Sequence, residues 1–126
     1  MWRRRRNLAR TPPVRMKAPN PEHPMQKLLI SVVFSFRNEE DNIPELVNRV
    51  ASVLSKIDAI TYELIFVNDD STDSSFELLA DLRTRYPIRI INMSRRFGVT
   101  PCSLAGFAHA RGEAVITMDS DLQDPP

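Results

Sequence analysis

The sequence is poor in cysteine and has no long apolar run. Cys102 is the only cysteine among 126 residues, so an internal disulfide is excluded and a reducing cytoplasm is the expected compartment. No apolar run approaches the roughly 20 residues that a membrane-spanning helix needs. Hydrophobic residues make up 42% and charged residues 26% of the chain, which is the ordinary composition of a globular domain with one core.

Glycine is also scarce, and its distribution excludes two common phosphate-binding motifs. The chain contains only Gly98, Gly106 and Gly112, so no glycine lies in the loop after the first predicted strand. The dinucleotide-binding pattern G-x-G-x-x-G is therefore absent, and so is the phosphate loop G-x-x-x-x-G-K-[ST]. Any phosphate group that this protein binds is held by something other than a glycine-rich loop.

The first 26 residues are basic and rich in proline. Arg3, Arg4, Arg5 and Arg6 form one run, and no apolar segment follows it, so the segment is not a secretory signal. This composition predicts a disordered tail over residues 1–26. Two interpretations remain open. The tail contacts anionic lipid, to which each surface arginine adds about 1 kcal/mol, or it is a solvated leader without a partner.

From residue 27 onward, four short apolar runs predict strands that are buried on both faces. They are Leu28–Phe34, Tyr62–Val67, Ile88–Met93 and Ala114–Met118.

Helices are predicted between these strands from capping signals and helical spacing of apolar residues. The signals are Asn42 with Glu45, Ser74 with Glu77, and Thr100 with Pro101, and Gly112 is expected to end the third helix. The alternating order predicts an α/β fold, an open and mostly parallel sheet with helices on both faces, over residues 27–126.

Acidic segments follow three of the four predicted strands. Ligands of an open parallel sheet bind beyond the carboxyl ends of its strands. Helix capping explains one acidic residue in a loop, but it does not explain so many. The acidic residues are Glu39, Glu40 and Asp41 after the first strand, Asp69, Asp70 and Asp73 after the second, and Asp119, Asp121 and Asp124 after the fourth.

Asp119 and Asp121 are two residues apart and suit a divalent metal ion. In an extended segment both side chains point the same way, with Cα atoms about 7 Å apart. Such a pair can share Mg²⁺ or Mn²⁺, whose open positions accept diphosphate oxygens. The ion would offset the charge that builds on a departing nucleoside diphosphate. A solvated turn is the alternative for an isolated D-x-D pattern.

Asp69 and Glu39 are candidates for contacts with the nucleoside. A carboxylate beyond the second strand can accept hydrogen bonds from a base N–H or a ribose hydroxyl, and Glu39 could reach the same nucleotide from the first loop. Asp73 is equally well explained as a residue at a helix start, where the helix dipole favours an acid.

Four segments together resemble the family 2 glycosyltransferases, which have the GT-A fold. The similarity is strongest to the branch of dolichol-phosphate mannosyltransferase and bactoprenol glucosyltransferase, and it covers residues 28–126. The segments are Ser31–Glu40, similar to S-V-V-I-P-x-Y-N-E-E; Val67–Asp73, similar to V-D/N-D-G-S-x-D; Ser94–Gly106, similar to S-R-N-F-G followed by A-G; and Met118–Pro126, similar to D-A-D-L-Q-D-P-P.

The resemblance implies roles for individual residues. It implies nucleotide binding by Glu39, Asp69 and Asp119, and metal binding by Asp119 together with Asp121 and Gln123. Arg95 would approach the phosphates or the acceptor, although a surface-loop position explains it equally well.

The implied reaction moves a sugar, with inversion, from a UDP- or GDP-sugar to a polyprenyl phosphate, either undecaprenyl or dolichyl. It would take place at the cytoplasmic face of the membrane, with no nucleic acid partner. The acceptor site, the catalytic residues and any membrane helices are expected beyond Pro126, so we expect an N-terminal fragment that transfers no sugar alone. A saccharide acceptor and a non-catalytic nucleotide-binding module are the alternatives.

Three positions depart from the pattern. Ser35 stands at the usual proline and Arg37 at a frequent tyrosine, which alters the loop beside the predicted nucleotide. Asp70 stands at the usual glycine, where we expect a positive φ that aspartate tolerates better than most residues.

Overall fold

The computed structural model describes residues 26–121, in which strands and helices alternate as predicted. Residues 1–25 of the predicted tail lie outside this range, as do Gln123 and Asp124. The strands are β1 (Leu28–Phe36), β2 (Ile60–Asn68), β3 (Ile88–Asn92) and β4 (Ala114–Asp119). The helices are α1 (Ile43–Ser55), α2 (Ser75–Leu82) and α3 (Val99–His109).

The strands form one parallel sheet in the order β3-β2-β1-β4, which confirms the predicted α/β fold. β1 lies between β2 and β4. Phe36 at its end pairs with Asn68, and Ser35 pairs with Asp119. The carboxyl ends of these three strands therefore meet at one edge of the sheet.

Apolar side chains pack on both faces of the sheet. On one face α1 and α2 cover a cluster in which the rings of Phe34 and Phe66 stack with their centroids 4.6 Å apart. On the other face Cys102 of α3 lies in a second cluster with Val33 and Ile65. Burying one such side chain stabilises the fold by about 1.5–3 kcal/mol. The packed sheet therefore fixes the positions from which the loops beyond its strands begin.

β4 differs from the prediction, because it is not buried on both faces. Its Val115 and Ile116 side chains are 41% and 45% exposed. Among the described strands β4 pairs with β1 alone, and α3 packs mainly over β1 and β2. β4 is therefore an edge strand of the described sheet.

The predicted capping signals are wrong in detail. Neither Asn42 nor Ser74 caps its helix through the side chain. The third helix begins at Val99, with Gly98 at a φ of 96° as its N-cap, rather than at Thr100. The Asn42 side chain donates to Glu39 in its own loop, and the backbone N–H of Ser74 donates to Glu40 in the loop after β1.

Gly112 does not end the third helix, which stops at His109. It lies instead against β1, where its N–H donates to the Ser31 hydroxyl at 2.8 Å. No helix in residues 26–121 has both the length and the apolar character that crossing a bilayer requires.

Candidate functional site

A cleft of about 320 Å³ opens beyond the carboxyl ends of β1, β2 and β4. Four residues that the sequence predicted for nucleotide or metal binding line it together: Glu39, Asp69, Asp119 and Asp121. The expected convergence of the acidic strand ends is thus confirmed. The other residues of the lining are Ser35, Phe36, Arg37, Arg96, Gly98, Val99 and Ser120.

The Asp119–Asp121 segment is held by its middle residue. Asp119 is the last residue of β4, and Ser120 turns inward and is buried. The Ser120 hydroxyl donates to the carbonyl oxygen of Ser35 at 3.2 Å, across the β1–β4 pair. This contact fixes the segment that carries both aspartates of the cleft lining.

The two aspartates supply carboxylate oxygens, which hard divalent cations prefer. No group of three or more metal-binding side chains occurs within residues 26–121. Two carboxylates nonetheless suit Mg²⁺, because proteins commonly bind it through one or two carboxylates and leave the other positions to phosphate and water. The third predicted ligand, Gln123, lies outside the described residues.

Asp69 has a structural task that the sequence did not predict. Its two carboxylate oxygens accept the N–H groups of Phe97 at 2.7 Å and Gly98 at 3.0 Å. Burial alone would raise the pKa of this carboxyl, but these two bonds, the Cys102 thiol and the charge of Arg96 hold it below the ordinary aspartate value. Asp69 is therefore ionised and fastens the loop before α3 to the end of β2.

Asp69 can still take part in binding a nucleoside. Each carboxylate oxygen has about two acceptor positions; the loop uses one on each oxygen, and the Cys102 thiol uses a third. The predicted contact between Asp69 and a base or ribose thus stays a prediction, since about one acceptor position remains for it.

The loops after β1 and β2 are joined by reciprocal hydrogen bonds. Asn38, at a φ of 54°, accepts the N–H of Thr72 at 2.8 Å through its side-chain oxygen. Glu40 accepts the N–H of Ser74 at 2.8 Å, and the N–H of Glu40 donates to Asp73 at 3.2 Å. Glu40 and Asp73 therefore hold the two loops in place rather than lining the cleft.

Glu39 lies between this loop junction and the cleft. Its N–H donates to the Ser75 hydroxyl at 3.0 Å, and its carboxylate accepts the Asn42 side-chain amide at 2.8 Å. The Asn42 side chain, which was predicted to cap α1 through its oxygen, makes no capping bond and instead orients Glu39 through its amide N–H. A nucleotide contact through Glu39 remains compatible with this position, because the residue also lines the cleft.

The neighbouring arginines Arg95 and Arg96 take different directions. The Arg95 guanidinium lies over the Phe97 ring, 4.1 Å from its centroid, and Arg95 is not among the cleft residues. Arg96 lines the cleft and was overlooked, because the sequence gives no sign of which of two adjacent arginines turns inward. The predicted phosphate contact of Arg95 remains untested, but this geometry does not favour it.

Comparison with known proteins identifies the class to which this cleft belongs. The sequence model described as glycosyl transferase family 2 matches residues 31–126. The chain therefore belongs to glycosyl transferase family 2, as the four sequence segments indicated.

Two curated relatives support this membership. An uncharacterised glycosyltransferase of Synechocystis is 45% identical over 98 residues, which are 77% of this chain and 30% of that protein. A dolichol-phosphate mannosyltransferase of Pyrococcus furiosus is 34% identical over 97 residues, which are 77% of this chain and 27% of that protein. The chain thus spans less than a third of the length of these relatives.

A solved structure has the same fold. The mannosyltransferase PcManGT from Pyrobaculum calidifontis, in complex with GDP-Man and Mn²⁺, matches with a TM-score of 0.64 at 22% identity. The match covers 82% of this chain and 30% of that structure. The described sheet therefore corresponds to the fold of a glycosyltransferase of the GT-A type.

Proposed function

We propose that the cleft binds the nucleotide-diphospho-sugar donor of a glycosyltransferase that requires a divalent metal ion. The observation that carries this proposal is the convergence of Glu39, Asp69, Asp119 and Asp121 on one cleft beyond the strand ends. Family membership gives the reaction class. The matched mannosyltransferase, which was solved with GDP-Man and Mn²⁺, supports a nucleotide-sugar donor together with a metal ion.

Asp119 and Asp121 would hold the metal ion, and Asp69 and Glu39 would contact the nucleoside. A metal ion bound there neutralises the negative charge of the diphosphate and of the nucleoside diphosphate as it leaves. Other residues of the chain position these carboxylates. Ser120 anchors the segment of Asp119 and Asp121, and the Asn42 side chain orients Glu39.

The acceptor that we propose is a polyprenyl phosphate, undecaprenyl or dolichyl. The name of the Pyrococcus furiosus relative supports this choice, together with the resemblance of the Asp119 segment to that branch. A phosphate oxygen of the acceptor would attack the anomeric carbon, whose bond to the donor diphosphate breaks with inversion. That oxygen is already ionised, so the reaction needs little help from a general base.

Calorimetric titration of UDP and GDP, with Mn²⁺ and with chelator, tests the metal assignment. We expect binding to be much weaker in chelator, because the four carboxylates of the lining outnumber its two arginines and the net negative charge repels the diphosphate. Asp121→Asn should remove most of the gain from Mn²⁺. Adding Asp119→Asn should then cost much less than Asp119→Asn costs alone, since two ligands of one ion are not additive.

Asp58→Asn is the matched control, because Asp58 is exposed in the turn before β2, at the other end of the sheet. It should bind nucleotide as the wild type does. If wild-type affinity were equal in chelator and in Mn²⁺, the metal assignment would be wrong. A preference for GDP or for UDP identifies the base of the donor as guanine or uracil.

We also propose that the protein works at the cytoplasmic face of a membrane and that its basic tail contacts anionic lipid. The run from Arg3 to Arg6 supports this proposal. Co-sedimentation with anionic vesicles should be stronger for the full chain than for a chain lacking residues 1–26, and the difference should shrink at high salt. Equal binding of both forms would show that the tail is inert.

A further inference from the structure

Two arginines place positive charge in the cleft that neither the metal nor the nucleoside assignment explains. Arg37 follows β1 and Arg96 precedes α3, and both line the cleft. The patterns to which these segments are similar have tyrosine and asparagine at the two positions. The two charges are therefore a feature of this chain that the resemblance does not account for.

Arg37 contains a buried hydrogen-bond donor that no protein acceptor meets. Its Nε atom is shielded from solvent and has no hydrogen-bond partner within residues 26–121. Leaving a buried donor unpaired is costly, and the cost is greater for a charged group. A turn of the Arg37 side chain toward the cleft that it lines would let this donor meet an acceptor on a ligand and would remove the cost.

The start of α3 adds a further positive feature on the same side. Gly98 and Val99 line the cleft, and Gly98, as the N-cap, has no side chain of its own to cap this helix. The N-terminus of a helix favours negative charge. Asp69 already accepts the N–H of Gly98, so the helix only supports a site whose main donors are the two arginines.

The balance of charge indicates what the arginines bind. Four carboxylates and two guanidinium groups line the cleft, which leaves a net charge of two negative. One divalent cation cancels this excess, so a nucleotide sugar can enter without net repulsion. Without the two arginine charges, the metal-loaded cleft would still be negative and would repel both phosphoryl groups of the donor.

We propose that Arg37 and Arg96 bind the diphosphate of the nucleotide sugar through their guanidinium groups. The proposal rests on the function proposed above and adds protein donors to the metal ion. A guanidinium suits this task because its planar set of N–H groups can address two oxygens at once.

Inorganic pyrophosphate, UDP and GDP, each with Mg²⁺, are the probes, because pyrophosphate has the diphosphate without a base. We expect Arg37→Gln and Arg96→Gln each to weaken the binding of all three by about tenfold or more, as measured by calorimetry. Arg83→Gln is the matched control, since this arginine is exposed at the carboxyl end of α2 and does not line the cleft. It should bind all three probes as the wild type does.

Thermal unfolding of each variant shows whether it has folded. If a glutamine variant does not fold, lysine is placed at the same position, because it keeps the charge but loses the paired contact. The lysine variant should weaken the binding of all three probes by the same factor, and this factor should be smaller than for glutamine.

Unchanged binding of all three probes would overturn the proposal. If the variants bound GDP more weakly but pyrophosphate unchanged, the proposal would also be wrong. The arginines would then contact guanine, because arginine can donate to the O6 and N7 atoms of that base. If the wild type bound none of the probes in Mg²⁺, the proposed donor site itself would fail. If the wild type bound them and the variants did so equally well, only the role of the arginines would fail.

Discussion

Gly112 approaches Ser31 so closely that no side chain fits between them. The N–H of Gly112 donates to the Ser31 hydroxyl at 2.8 Å. A Cβ atom on Gly112 would lie 2.7 Å from the backbone nitrogen of Ser31 and 2.8 Å from the carbonyl oxygen of Leu29. This contact seats the segment between α3 and β4 on the central strand, and so determines where β4 begins.

Gly112→Ala should therefore lower the free energy of unfolding by about 1–3 kcal/mol, because the crowded atoms are backbone and cannot turn aside. Urea denaturation measures the change. Gly106→Ala is the informative comparison, since its new Cβ would overlap Cγ1 of Val33, a buried β-branched side chain with little freedom to rotate. We expect a loss of at least the same size for Gly106→Ala, and unchanged stability of either variant would contradict the described packing.

Asp69→Asn should destabilise the protein even when no nucleotide is present. An amide has one acceptor oxygen, so one of the N–H groups of Phe97 and Gly98 would lose its partner, at a cost of about 1–3 kcal/mol. Exchange of these two amide hydrogens should accelerate in the variant. If Asp69→Asn weakened nucleotide binding without changing stability or exchange, Asp69 would act on the nucleoside alone.

Glu63 should make the stability of the protein depend on pH. Burial alone would raise the pKa of this carboxyl, but hydrogen bonds from Ser31, Arg111 and Arg89 together hold it below the ordinary value of 4.5. A lowered pKa in the folded state stabilises the protein above the pKa of the unfolded state. The contribution is lost as the pH falls through the folded-state pKa.

Glu63→Gln should consequently reduce the free energy of unfolding near neutral pH, and the difference from the wild type should shrink below about pH 4. Urea denaturation across this range measures it. Glu77→Gln, at an exposed position on α2, is the control and should change little at any pH. A difference that stays constant with pH would show that the Glu63 charge is not stabilised in the folded state.

The Cys102 thiol should be unreactive while the protein is folded. It is fully buried, and burial together with the neighbouring Asp69 carboxylate raises the pKa of this thiol to about 11. A thiol reagent at about pH 8 should label it at least a hundredfold more slowly in the native protein than in urea, because only the thiolate reacts. Fast labelling of the native protein would contradict the packing of α3 on the sheet.

The sequence predicted the sheet and the location of the cleft because both depend on patterns along the chain. Each strand is a short apolar run, and parallel connections bring the strand ends to one edge. Asp70 is a further example: the positive φ expected there is confirmed at 58°. It could be predicted because Asp70 stands at a position where the family pattern has glycine, and this local signal does not depend on distant residues.

What the sequence could not predict depends on contacts between distant segments. The apolar run at β4 predicts a strand buried on both faces, but burial depends on which elements lie beside the strand. Val115 and Ile116 are therefore exposed in the described sheet, where β4 lies at the edge. Asn42 is a residue type that caps helices, yet its side chain makes no capping bond and donates its amide N–H to Glu39. Arg95 and Arg96 are equivalent in sequence, and only the loop fastened by Asp69 separates them.

The strand order has a consequence for how the chain folds during synthesis. Of the four described strands, β1 is the first to leave the ribosome and its partner β4 is the last, since Ile30 pairs with Ala114, 84 residues later. At about 5–20 residues per second, this interval lasts about 4–17 s. Throughout that time one side of the most apolar strand is unpaired, which makes the nascent chain a substrate for chaperones that shield strand edges.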